Sequence, residues 1–120
     1  MREFTHPHRV LVVEDEPLLL LDMLECFADA GIGALKAGCA AEAFEQIERN
    51  PDIDVLFTDV NMPGGFDGVD LARHVRLTRP DMKVFVTSGE FRPSPEQDFT
   101  RFVPKPYDPV EVIELMSRLF

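Results

Sequence analysis

Asp59 closes the apolar run Val55-Leu56-Phe57-Thr58 and opens the turn Asn61-Met62-Pro63-Gly64. A strand that hands a lone carboxylate to a turn holds it at the mouth of a site. Glu14-Asp15 follows Arg9-Val10-Leu11-Val12-Val13 in the same way, Thr87 closes Lys83-Val84-Phe85-Val86, and Lys105 stands before Pro106. Three acids gathered within a few ångströms repel by roughly 4 kcal/mol per close pair at an effective dielectric of about 20. A hard cation relieves that repulsion, and carboxylates with waters and a backbone carbonyl suit Mg2+, with Mn2+ able to substitute. Beside such an ion, an Asp59 oxygen becomes a nucleophile for a phosphoryl group and yields an aspartyl phosphate. The Lys105 ammonium, the Thr87 hydroxyl and nearby backbone N–H groups would then neutralise the phosphoryl oxygens.

These residues can meet only if the elements that carry them share one edge. Apolar blocks alternate with helical patterns along the chain. Arg9 to Val13 reads as a buried strand, and Pro17 to Ala30 as a helix with Leu19, Met23, Cys26 and Phe27 at helical spacing. Asp15 or Glu16 is placed to cap that helix, and Pro17 suits its first turn. A short strand is expected near Gly33 to Ala37, a helix from Ala40 to Arg49 stopped by Asn50-Pro51, and a third strand from Val55 to Thr58. Val69, Leu71, Ala72 and Val75 mark a helix that closes near Thr78-Arg79-Pro80, followed by a strand from Lys83 to Thr87. Val103 centres a short fifth strand. Pro109 to Phe120 forms the last helix, with Val110, Val112, Ile113, Leu115, Met116 and Leu119 as its apolar stripe. Such alternation demands crossover connections and predicts an α/β fold, a parallel sheet covered on both faces with ligands at the carboxyl ends of its strands. Glu90 to Thr100 breaks the pattern with Pro93 and Pro95 and is expected to be a loop or one short turn.

At 120 residues with 45% hydrophobic content, the chain fits one domain spanning residues 1–120, its first seven residues forming a polar N-terminal arm. A net charge of −10 argues against direct nucleic-acid binding, which needs a basic stripe to neutralise phosphates. Cys26 and Cys39 are the two cysteines, too few for a disulfide framework or a CxxC metal motif, which points to a reducing compartment. The polar start lacks the apolar core of a signal peptide and no run reaches membrane-spanning length, so a soluble cytoplasmic protein without membrane contact is expected. His6 and His8 lie in the polar arm and His74 lacks a partner pattern, so a histidine metal site is not supported.

Taken together, Val12-Val13-Glu14-Asp15-Glu16, Thr58-Asp59-Val60-Asn61-Met62-Pro63-Gly64, Val86-Thr87-Ser88-Gly89 and Pro104-Lys105-Pro106 resemble the receiver domain of two-component response regulators. The resemblance runs from about His8 to Phe120. It implies a flavodoxin-like, doubly wound sheet of five parallel strands in the order 2-1-3-4-5, with the family's fourth helix short or absent at Glu90 to Thr100. It also implies that Asp59 accepts phosphate from a sensor histidine kinase or a histidine phosphotransfer protein. Glu14, Asp15, Asp59 and the Asn61 main-chain carbonyl would hold Mg2+, Thr87 and Lys105 would sense the phosphate, and Phe102, three residues before the lysine, would be the switch aromatic. Lys105-Pro106 resembles a bond that is usually cis in the family. The loop Gly64-Gly65-Phe66-Asp67-Gly68 reads as one residue longer than the family pattern. Because the chain ends with the last helix, a single-domain regulator is expected, acting on a downstream protein or draining phosphate from a shared kinase; a fragment of a longer regulator would look identical.

Leu18, Leu19, Leu20 and Leu21 cannot all face one core, since successive helical residues lie about 100° apart. Either they form a broad buried stripe, or Leu20, Leu21 and Leu24 form the surface that meets the kinase. Three other classes fit less well. A docking module with a relic site would not need the acid pair with Thr87 and Lys105. A flavodoxin-like cofactor binder would want a phosphate loop where the acids stand, and an aspartyl-phosphate phosphatase would want a second aspartate at the position of Asn61. The domain is therefore expected not to be an enzyme, beyond slow hydrolysis of its own phosphate.

Overall fold

The computed structural model describes residues 9–62, 64–89 and 101–118. The N-terminal arm and the stretch Glu90 to Thr100, where the short or absent helix was expected, lie outside the described residues. The elements run β1 (Arg9–Val13), α1 (Pro17–Asp29), β2 (Gly33–Ala37), α2 (Ala40–Arg49), β3 (Val55–Asp59), α3 (Gly68–Thr78), β4 (Lys83–Ser88), β5 (Arg101–Pro104) and α4 (Pro109–Arg118). All strand pairs are parallel, and the order is β2-β1-β3-β4-β5 as expected. The third and fourth strands each run one residue further than the expected ends Thr58 and Thr87, because Asp59 pairs with Thr87 and Ser88 with Pro104 in the ladder.

Strand alternation divides the core in two. Leu11, Val13, Leu56, Val84 and Val86 face Ala43 and Ile47 of α2 and Leu71, Ala72 and Val75 of α3. Val10, Val12, Val55, Phe57 and Phe85 face Met23 and Phe27 of α1 and Val112, Ile113 and Met116 of α4. Helices thus cover both faces, and the central strands β1 and β3 are buried almost throughout. Burying apolar area is worth about 25 cal/mol per Å2, so these strands are firmly held and carry Glu14 and Asp59 on a rigid base.

Helix ends show how the chain is aimed. Glu16 is the N-cap of α1, but no side chain caps it; the Glu16 amide donates to Glu14 Oε2 at 3.1 Å. Glu14 thus satisfies the amide of the N-cap residue itself, and the side-chain cap expected at this helix start is not made by Glu16. At the other end Ala30 caps α1 and Gly31 takes φ 77°, the left-handed turn glycine adopts without steric cost. Helix α3 starts with a capping box: Asp67 Oδ1 accepts from the Val69 and Asp70 amides at 3.0 and 2.9 Å, and Asp70 Oδ2 accepts from the Asp67 amide at 3.1 Å.

The leucines of α1 divide as helical rotation requires. Leu18 and Leu21 are 79% and 52% exposed, while Leu20 and Leu24 are half-buried against the α1/α4 core. Of the three expected surface residues, Leu21 alone points outward, and Leu18 is its exposed neighbour. Val110, assigned to the apolar stripe of the last helix, is also exposed.

Candidate functional site

Glu14, Asp15 and Asp59 come together at the carboxyl edge, with one carboxylate oxygen from each within 4.8 Å of the others. Glu14 and Asp59 are buried and Asp15 is exposed, so the cluster opens to solvent on one side. Backbone ladders fix its spacing: the Glu14 amide donates to Ala37 O at 3.0 Å, and the Val60 amide to Thr87 O at 2.9 Å.

Lys105 reaches in from β5. Its Nζ lies 3.0 Å from Asp59 Oδ2 and 3.3 Å from Glu14 Oε1, and its amide donates to Ser88 O at 3.1 Å. The Lys105–Pro106 bond is cis. Asp59 Oδ1 accepts from the Asn61 amide at 3.3 Å, so both Asp59 oxygens have donors. Burial and the charge of Asp59 hold Glu14 above the usual carboxylate range, against the Glu16 amide and Lys105, which pull it down. Burial pulls Lys105 down, but its hydrogen bond to Asp59 and the charges of Asp59 and Glu14 outweigh this and leave it above the usual lysine value.

Thr87 stands directly opposite Asp59 in the ladder, fully buried, and its Oγ1 has no hydrogen-bond partner. Buried hydroxyls normally find one. Asn61 is exposed at the rim, and Phe102 is half-buried against the α2/α3 core beside Val86. The structure thus brings Glu14, Asp15, Asp59, Thr87, Asn61 and Lys105 to one edge, whereas Leu20 and Leu24 belong to the packing of α1.

Sequence reasoning passed over two residues. Gly68, first in α3, lies against the strand end that carries Asp59: a Cβ there would overlap the Asp59 carbonyl and come within 2.9 Å of Val60 Cα. Its amide donates to Val60 O at 2.8 Å. The signal available was glycine after a cap-type aspartate, with a second acid three residues on from the cap. The other is Tyr107, whose ring meets Phe57 edge-on at 5.4 Å between centroids and whose hydroxyl is buried without a partner.

The oxygen-only donor set, its closeness and its open side fit a divalent cation with retained waters. This edge of a five-stranded parallel sheet defines a class, and sequence comparison agrees with it. The family model described as "Response regulator receiver domain" matches residues 10–117, and the chain belongs to that family. The sensor kinase CckA of Brucella abortus is 33% identical over 104 residues, covering 82% of this chain and 11% of its own length. The response regulator receiver protein CpdR of the same organism is 30% identical over 81 residues, 68% of this chain and 66% of its own. This chain therefore matches about a tenth of the kinase and about two thirds of CpdR. Among solved structures, the response regulator TrrA of Thermotoga maritima in complex with Mg(2+)-BeF superposes with a TM-score of 0.82 at 23% identity, covering 93% of this chain and 98% of that one. At that identity the likeness is one of fold. No helix among the described residues is long and apolar enough to cross a membrane.

Proposed function

We propose that this receiver domain accepts a phosphoryl group on Asp59 from the phosphohistidine of a sensor kinase or a histidine phosphotransfer protein. An Asp59 oxygen attacks phosphorus, the phosphorus–nitrogen bond breaks, and its electron pair stays on the imidazole ring. Glu14, Asp15, Asp59 and the Asn61 carbonyl would hold Mg2+, or Mn2+ in its place. The ion supplies positive charge that lets a phosphoryl anion approach three carboxylates. Lys105 follows the transferred charge, and the Thr87 hydroxyl gains the acceptor it lacks. Phe102, beside Val86 in the ladder, would report the change to a downstream protein. The alternative output, a phosphate sink, needs no such partner.

The observation that carries this reading is the Asp59–Thr87 register. It sets a buried hydroxyl with no partner beside a carboxylate already paired with a lysine. The kinase-borne relative and the Mg(2+)-BeF complex of a relative of the same fold support it. Contact with the kinase would use the outward leucine Leu21, with Leu20 and Leu24 setting the seat of α1. A cytoplasmic site of action and phosphate loss only by slow hydrolysis complete the proposal. Incubation with acetyl phosphate and Mg2+, read by intact mass, should add one phosphoryl group to wild type and none to Asp59→Asn. Equal labelling of the two would end the reading.

A further inference from the structure

Phosphoryl transfer would use the Asp59 carboxylate, but the main-chain carbonyl of the same residue is held just as closely. Thr58, the residue before it on β3, is fully buried, and its hydroxyl donates to Asp59 O at 2.9 Å, with the weaker acceptor Met62 Sδ at 4.0 Å. The ladder neighbours of Thr58, Val13 and Val86, are apolar and buried, so packing alone would be served as well by valine at this position. The hydroxyl therefore asks for a reason, and the carbonyl it serves supplies one.

A peptide unit is planar, so the Asp59 carbonyl and the Val60 amide turn together. The carbonyl accepts from Thr58, and the amide donates to Thr87 O at 2.9 Å. The next unit is held in the same manner: the Val60 carbonyl accepts from the Gly68 amide at 2.8 Å, and the Asn61 amide donates to Asp59 Oδ1 at 3.3 Å. Two successive peptide planes are thus each fastened at both ends, and they lead to Asn61. Asp59 and Val60 are 6% and 5% exposed, so little water stands by to replace a lost donor. We propose that Thr58 is a positioning residue for the cation site, its hydroxyl locking the peptide between Asp59 and Val60 and so setting the direction of the Asn61 carbonyl. The inference rests on the reading in which that carbonyl holds Mg2+ with Glu14, Asp15 and Asp59. Without the hydroxyl, the Asp59 carbonyl loses this donor in a buried place, which is costly. Turning the peptide to relieve it draws the Val60 amide off Thr87 and swings Asn61.

Three substitutions separate the hydroxyl from the methyl. Thr58→Val keeps the shape and removes the donor, Thr58→Ser keeps the donor and removes a buried methyl, and Thr58→Ala lacks both. Without divalent ions, Thr58→Ser and Thr58→Ala should both melt below wild type for the lost methyl. Mg2+ affinity by calorimetry should follow the hydroxyl instead. It should hold in Thr58→Ser and fall about fivefold in Thr58→Val and Thr58→Ala, the scale of one neutral hydrogen bond. Amide hydrogen exchange in the metal-free proteins reads the peptide plane itself. Relative to the Leu56 amide in the same strand, the Val60 amide should exchange faster in Thr58→Val and Thr58→Ala than in wild type or Thr58→Ser. Wild-type Mg2+ affinity in Thr58→Val and Thr58→Ala would overturn the assignment, as would affinities that fall in step with melting temperature across all three variants. So would a relative Val60 exchange that is the same in all four proteins. Failure of the wild type to bind Mg2+ would instead bring down the cation reading, and this role with it, even where exchange shows the peptide held by Thr58.

Discussion

At the amino ends of the strands Arg9 pairs with Asp52 at 3.0 Å, and Arg79 donates to the carbonyls of Ile47, Pro51 and Ile53 at 3.1, 2.9 and 2.8 Å. At the carboxyl ends a single lysine reaches two of three clustered carboxylates, and two buried hydroxyls nearby have no partner. The same five strands feed both edges, so the contrast is one of finish rather than architecture. The amino edge is stitched by a guanidinium whose fixed fork matches several carbonyls at once. The carboxyl edge keeps unmet donors and excess negative charge, as a site awaiting a cation and an anion would. Stability and function are thereby assigned to opposite ends of the sheet.

The contrast would break first at Gly68. Gly68→Ala should cost about 3 kcal/mol in urea unfolding, since the new methyl has only strand backbone to displace. It should also abolish phosphorylation by moving Asp59. Next, Lys105→Met leaves Glu14 and Asp59 buried together without their cation, and should lower stability by about 2 kcal/mol in the absence of divalent ions. Added Mg2+ should restore most of that loss, with thermal melting at each Mg2+ concentration as the check. At the opposite edge Arg79→Ala should cost about 1.5 kcal/mol through three carbonyls left to water and leave Mg2+ affinity by calorimetry unchanged. A large change in that affinity would show that the two ends are not independent.

The smallest effect is one of pH. Glu14 is held above the ordinary carboxyl value, so the folded chain binds its proton more readily than the unfolded chain does. Its contribution is most favourable below the unfolded value and is lost as pH rises through the folded one. Lys105, also raised, contributes below its unfolded value and loses that only in strongly alkaline solution. Melting temperatures of wild type without divalent ions should therefore decline from mildly acid to neutral pH more than those of Glu14→Gln. Mg2+ should flatten the difference.

Much of this was legible in the sequence because a polar residue that ends an apolar run is visible without knowing how the strand is turned. Glu14, Asp15, Asp59, Thr87 and Lys105 are all of that kind; the crossovers called for a parallel sheet, while the strand order came from the family resemblance. What the sequence hid depends on rotation and close approach. Four successive leucines fix no phase, so the outward pair emerged as Leu18 and Leu21 rather than Leu20 and Leu24. Gly68 carries no side chain to betray its contact. The Asp67–Asp70 box was readable as two acids three apart, but the loop's glycines drew attention from it. Tyr107 is an ordinary aromatic until its oxygen is seen to lack a partner.

The pairing of Asp59 with Thr87 has a consequence for how this protein can diversify. Acid and hydroxyl are separated by the width of one ladder rung, a distance that no loop sets. A change in length between Asn61 and Gly68 would therefore leave the spacing of Asp59 and Thr87 intact. Evolution can rewrite who approaches this edge without renegotiating the chemistry performed there.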